Sequence, residues 1–197
     1  MTYVKASVRR PAGNPGNGIQ PKDQLVIYDV DDILSFPQRN DAGVIIEDDI
    51  VMKAGRYAIG IYLTPGTAEI SSNSDGETDA EGYTPSVKFN HPGNEQEIRE
   101  FKTNWLSKKC IVVLRYCSGK PADLIGTPCN PCKLSVSYTG SNESNTNELT
   151  FTQISKGDDI AIYRGTDTLE EPVAVVEAGA TDIDYQTDGQ YQLSAGD

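Results

Sequence analysis

The sequence predicts a mainly β domain: an antiparallel β-sandwich or barrel with one flanking α-helix over about residues 94–108. Two observations carry this expectation. Short apolar segments of strand length recur along the chain, divided by turn signals such as "NDAG", "TPG", "SDGE", "SGK" and "KGDD". One segment only breaks that pattern, with apolar residues at helical spacing.

The domain reads as residues 1–167, beginning with an N-terminal arm over about 1–22. Within the arm, "RRPAGNPGNGIQPK" (9–22) holds too many Gly and Pro for a regular element. Strands are expected at "QLVIYDV" (24–30), "VIIEDDIV" (44–51), "RYAIGIYL" (56–63) and "YTPSVKF" (83–89). More follow at "CIVVLRYC" (110–117), "KLSVSYT" (133–139), "ELTFTQIS" (148–155) and "IAIYRG" (160–165). In "ELTFTQIS", Leu149, Phe151 and Gln153 alternate with Thr150, Thr152 and Ile154, which suits a half-buried antiparallel strand.

The exceptional segment is "GNEQEIREFKTNWLSKK" (93–109). Ile98, Phe101, Trp105 and Leu106 would form one apolar stripe on a helix. Asn94 and Glu97 have capping-box spacing. Glu95 and Glu97 would lie at the positive end of the dipole, and Lys108 and Lys109 at the negative end. The single Trp is expected to anchor this helix on a sheet. His91-Pro92-Gly93 ends the strand before it.

"SSNSDGETDAEG" (71–82) and "TGSNESNTN" (139–147) read as polar loops, either solvated or ordered by a neighbouring molecule. A composition shift near Gly165 marks a C-terminal extension, 168–197. There "DYQTDGQYQL" suits a short hairpin turning at Asp188-Gly189.

With 197 residues, 37% hydrophobic and 23% charged, the chain can bury a core without metals or disulfides. No apolar run reaches membrane-spanning length, so no membrane is expected as a partner. The first residues lack the apolar core of a secretory signal, which points to synthesis in a cytosol that keeps thiols reduced. The net charge of −12 argues against gripping nucleic acid, although an acidic surface can surround DNA without holding it. Charge is uneven along the chain. Residues 1–28 carry Lys5, Arg9, Arg10 and Lys22 against Asp23 alone, while residues 140–197 set twelve acids against Lys156 and Arg164. That asymmetry suits either contact between copies or simple solubility.

The motifs with catalytic spacing lack their partners. Cys129 and Cys132 in "GTPCNPCKL" have a C-x-x-C spacing, but a strand-like segment follows where a redox centre needs a helix. Cys110 and Cys117 are an odd number of residues apart on an expected strand, so they point to opposite faces and make a poor second half of a zinc site. His91 is the only histidine and has no nucleophile motif beside it. The acids at Asp29, Asp31 and Asp32, at Glu47-Asp48-Asp49 and at Asp158-Asp159 fit neither an EF-hand nor any other specific spacing. The expectation is therefore no catalytic residue, no cofactor and no metal.

Several segments together resemble the major tail tube proteins of long-tailed bacteriophages and prophages. They are "YVKASVRRPAGNPG", "KAGRYAIGIY", "VKFNHPGNEQEIREFKTNWLSKKCIVVLRYCSGK" and "LIGTPCNPCKLSVSYTGSNESNTNELTFTQISKGDDIAIYRGT". The resemblance spans roughly residues 2–167 and rests on segment order rather than a short motif. It implies two packed antiparallel sheets flanked by a helix and a chain that forms hexameric rings. Hairpins of neighbouring subunits would join into one inner β-barrel. Rings would stack into the hollow tube of a virion tail, built in the host bacterial cytoplasm, and DNA would pass through without specific binding. Its partners would be further copies of itself and other tail proteins such as the tape measure, terminator and baseplate. Arg9, Arg10, Pro11 and Asn14 become candidates for inter-subunit contact. Asp75, Glu77, Asp79 and Glu81 become candidates for the lumen or the seam between rings.

Two other function classes stay open on sequence. One is another virion component: a tail terminator, baseplate hub or capsid decoration protein. The other, more distant, is a carboxylate-dependent glycosidase using Asp29, Asp31 and Asp32.

Overall fold

The protein is described by a computed structural model over residues 5–14 and 16–169. Its strands, in chain order, are β1 (Pro21–Asp29), β2 (Ile33–Ser35), β3 (Ile45–Ile46), β4 (Val51–Met52), β5 (Ile59–Tyr62) and β6 (Glu69–Asp75). After β7 (Gly82–Pro92) comes the helix α1 (Gln96–Trp105). Then follow β8 (Cys110–Tyr116), β9 (Ala122–Ile125), β10 (Cys132–Gly140), β11 (Asn145–Gln153) and β12 (Ala161–Tyr163).

The chain is mainly β, as expected, and the strands form two layers that meet at one corner. The first runs β5-β1-β8-β9-β12-β3, and the second runs β10-β11-β7-β6. The only register pair joining β8 to β10 is Cys110 with Cys132. The sheet is mixed rather than wholly antiparallel, because β12 pairs β3 in parallel. These two strands are far apart in sequence, and parallel pairing requires such a crossover.

The main core lies between the layers. Leu25 and Ile27 of β1 and Val112 and Leu114 of β8 meet Val87 and Phe89 of β7 and Leu149 and Phe151 of β11. Phe89 and Phe151 stack across the layer with centroids 6.3 Å apart. A second core lies on the other face of the first layer, where Val26, Tyr28, Ile111 and Val113 pack with Ile46, Ile50 and Tyr163. The excursion from Val30 to Ala58 covers that face. This explains why Leu25–Asp29 and Cys110–Leu114 are buried at every position, without the alternation of a half-exposed strand.

The helix closes one end of the main core. Ile98 is buried, and Phe101 and Trp105 pack against the core beside it. The capping box does not form: Glu95 holds the N-cap position without a side-chain bond. Asn94 instead accepts from Lys102 Nζ at 2.9 Å, and its carbonyl accepts from Arg99 Nε at 2.7 Å. Leu106 is the C-cap, its N–H still bonded to the Lys102 carbonyl, but its side chain leaves the stripe and is 55% exposed. Lys108 and Lys109 also lie beyond the helix, and Lys108 reaches Asp29. Buried Asn147 of β11 ties the helix down, donating to the Gly93 carbonyl and accepting from Lys102 Nζ at 2.6 Å.

Three segment expectations are corrected. "VIIEDDIV" splits into β3 and β4, because Glu47–Asp49 leave the sheet and β4 pairs β2 separately. Most of "TGSNESNTN" is strand, and the turn between β10 and β11 takes up only 141–144. "SSNSD", expected to be loop, is the outer part of β6. At the other end, the Thr168 carbonyl accepts from Ala58 N at 3.1 Å, and Leu169 packs on the second core. The rest of the C-terminal extension, with its expected hairpin, lies outside the described residues.

Candidate functional site

The β6–β7 hairpin forms one edge of the second layer. Its register runs from Glu69 opposite Lys88 to Asp75 opposite Gly82. Beyond β6 no strand follows among the described residues, so seven residues present an unpaired backbone edge. Unpaired strand edges are templates for pairing with another chain.

The outward face of this layer is polar throughout. Alternation turns Val87, Phe89, Leu149 and Phe151 inward. It turns Ser86, Lys88, Thr150 and Thr152 outward, flanked by Ser71, Asn73, Lys133 and Ser135. Ser71 and Ser86 hydroxyls bond across the strands at 2.9 Å, and Lys88 pairs with Glu69 at 3.3 Å. Lys88 and Lys133 are offset by Glu69 and Glu148, so the face is wet and nearly neutral.

The four candidate carboxylates cluster at the tip of the hairpin. Asp75 ends β6, and Glu77, Asp79 and Glu81 lie in the turn. Asp79 adopts φ +70, and Ala80 N bonds the Glu77 carbonyl at 2.9 Å, which makes a tight, shaped turn. Gly76 is required here, since a Cβ would come 2.2 Å from the Ala80 carbonyl oxygen. Lys156 pairs with Asp75 at 3.2 Å and holds its carboxyl below the usual range, helped by Gly76 N. Asp75 is thus committed within the chain, whereas Glu77, Asp79 and Glu81 have no ion-pair partner among the described residues.

The arm candidates lie apart from the hairpin tip in sequence. Arg9, Arg10, Pro11 and Asn14 are exposed, as is every described residue from Lys5 to Gln20. Val8 is 97% exposed. Up to Asn17 the arm's backbone bonding is local, Asn17 N to the Asn14 carbonyl at 3.2 Å; the Gln20 carbonyl then accepts from Cys117 N at 3.0 Å, and regular pairing starts at Pro21.

No family model, curated protein or solved structure matches this chain.

The residues with catalytic spacing are held in the scaffold. Cys132 is buried opposite Cys110, while Cys129 is exposed in the turn where Thr127 and Asn130 exchange backbone bonds. The C-x-x-C thiols therefore face different environments. Burial pushes the Cys110 thiol up to about 12 and raises Cys132 as well. His91 Nδ1 lies 2.9 Å from the Tyr62 carbonyl, tying β7 to the end of β5. Asp29 is buried, caps the turn at Val30–Asp32 and pairs with Lys108, and Asp32 pairs with Arg56 at 3.4 Å. Among the described residues no three His, Cys, Asp or Glu side chains converge as a metal site.

Sequence reasoning missed two features. The first is the β6 edge, hidden because Ile70 is its only apolar residue; the Asp75-Gly76 turn signal before "YTPSVKF" was the available clue. The second is a shallow cleft of about 310 Å³ where Arg39 and Val44 meet the tip end of the hairpin, Glu81 to Tyr83, and Asp158–Ile160. Its parts come from three distant segments, so no local pattern announces it.

Proposed function

We propose that this protein is a structural subunit of a bacteriophage virion. Copies would form hexameric rings that stack into the hollow tail tube through which DNA is delivered. The unpaired β6 edge beside a wholly polar sheet face carries this reading. Symmetric pairing of such edges removes them by closing a barrel through neighbouring subunits. A repeating contact along the ring axis then gives a tube.

In that assembly the Ser/Thr-rich outer face of β10-β11-β7-β6 turns toward the lumen. A hydroxyl-rich, nearly neutral wall with little free positive charge gives DNA no sites to hold it. The hairpin tip lies past the paired ladder, and in that assembly Glu77, Asp79 and Glu81 would lie at the seam between rings. The arm bridges subunits through Arg9 and Arg10. Catalysis is not part of this role, and the internal ion pairing of Asp29 and Asp32 supports that view. The protein would reside in the virion tail after synthesis in the host cytoplasm. Among the described residues, no helix is long and apolar enough to cross a membrane.

Negative-stain electron microscopy of concentrated protein across a salt series tests this. Rings and tubes with a central channel are expected. Dispersed monomers under every condition would overturn it.

A further inference from the structure

The cleft around Arg39 has a composition that its own chain leaves incomplete. Tyr83 and Gly157 exchange backbone bonds at 2.9 and 3.0 Å, fixing the floor. Arg39 reaches across it, donating to the Gly43 carbonyl at 3.0 Å and to the Asp159 carbonyl at 2.6 Å. Its Nε is shielded from water and has no hydrogen-bond partner, with the Asp158 carboxylate 3.9 Å away. A buried N–H left in this state is costly. Val44 and Tyr83 form partly exposed apolar walls. Glu81 and Asp158 line the cleft as free or weakly paired acids, and the Asp158 side chain is 74% exposed.

The arm supplies what is missing. It carries Val8, which is almost fully exposed, followed by Arg9 and Arg10, which have no acidic partner among the described residues. We propose that the cleft formed by Arg39, Val44, Glu81, Tyr83 and Asp158 receives the Val8-Arg9-Arg10 segment of a second copy. This rests on the self-assembly proposed above and names the acceptor site for the arm. Val8 seats against Val44 and Tyr83 while the two arginines meet Glu81 and Asp158. A carboxylate accepts from two guanidiniums at once, so Asp158 bridges the incoming arginine and Arg39 Nε. Charge complementarity selects this occupant: the arm is basic on a chain whose net charge is −12.

The test uses two full-length variants, R9E/R10E and E81R/D158R, with self-association followed by sedimentation velocity and folding checked by thermal melting. Each alone should associate about tenfold more weakly than the parent. An equimolar mixture should recover association, because the reversed arm of one fits the reversed cleft of the other. Parent-like association of either variant, or a mixture no stronger than its components, overturns the proposal; the first result also covers an arm that folds onto its own cleft. Microscopy separates this inference from the tube reading. Tubes formed by the parent and by both variants would leave the tube standing and remove the arm–cleft contact. Discrete oligomers with the rescue pattern but no tubes would do the reverse.

Discussion

Cys110 lies directly across from Cys132, and this pair is where the two layers join. Cys110 Sγ donates to the Cys132 carbonyl at 3.4 Å, and Gly126 leaves room for the Cys132 sulfur, which a Cβ there would approach to 3.1 Å. The thiols serve as compact, apolar-compatible groups at a crowded corner.

Thiol reactivity should divide accordingly. Cys117 and Cys129 are exposed and should react promptly with a disulfide reagent in the native protein, whereas Cys110 and Cys132 should react only on unfolding. Four thiols titrating at one fast rate would contradict this arrangement.

Stability should fall at alkaline pH. The Cys110 thiol moves from 9.0 to about 12 on folding, so the unfolded chain releases its proton first. The stabilisation is fully present below about pH 9 and is lost progressively as pH rises toward about 12. Burial raises Cys132, Tyr28 and Tyr116 too, which deepens the same loss. Urea midpoints at pH 7, 9 and 10.5 should decline, and C110A should flatten the decline while lowering stability at pH 7.

Replacing Asn147 tests how the helix is held. N147A removes the bond to the Gly93 carbonyl and an acceptor for Lys102, and should cost about 1–3 kcal/mol in urea unfolding. Hydrogen exchange should quicken first in residues 96–105. Uniform quickening across the sheets would show that Asn147 is not the local tie.

A second anchor holds the end of the described chain. Half-buried Asp167 pairs with Arg115 and accepts from Tyr28 Oη at 2.6 Å, and Arg115 also donates to the Gly165 carbonyl at 2.7 Å. D167A leaves Arg115 without its carboxylate and Tyr28 without its acceptor, and should cost about 1–3 kcal/mol. Limited proteolysis should then cut near residues 164–169 earlier than in the parent.

The unpaired strand can be blocked without touching the core. Asn73 is exposed on β6, opposite Thr84, and N73K places a lysine on the edge. Monomer stability should stay within about 0.5 kcal/mol, while ring formation seen by microscopy should be lost. Normal rings from N73K would show that β6 is not the assembling edge.

Much of this architecture was legible in residue order. Alternation in "ELTFTQIS" placed Leu149, Phe151 and Gln153 inward, where all three are buried. The spacing of Ile98, Phe101 and Trp105 set the buried side of α1. The arm read as irregular and is so up to Gln20. These properties are local, since strand alternation and helical period are imposed by the backbone itself. Tertiary structure decided the rest. It made β6 a strand although its sequence is polar, because β7 offers a ladder along its whole length. It drew Lys108 to Asp29 and Lys102 to Asn147 in place of the helix-end interactions that spacing suggested. It built the Arg39 cleft from segments more than a hundred residues apart. Such contacts depend on which distant surfaces packing brings together, and near-neighbour pattern does not encode that choice.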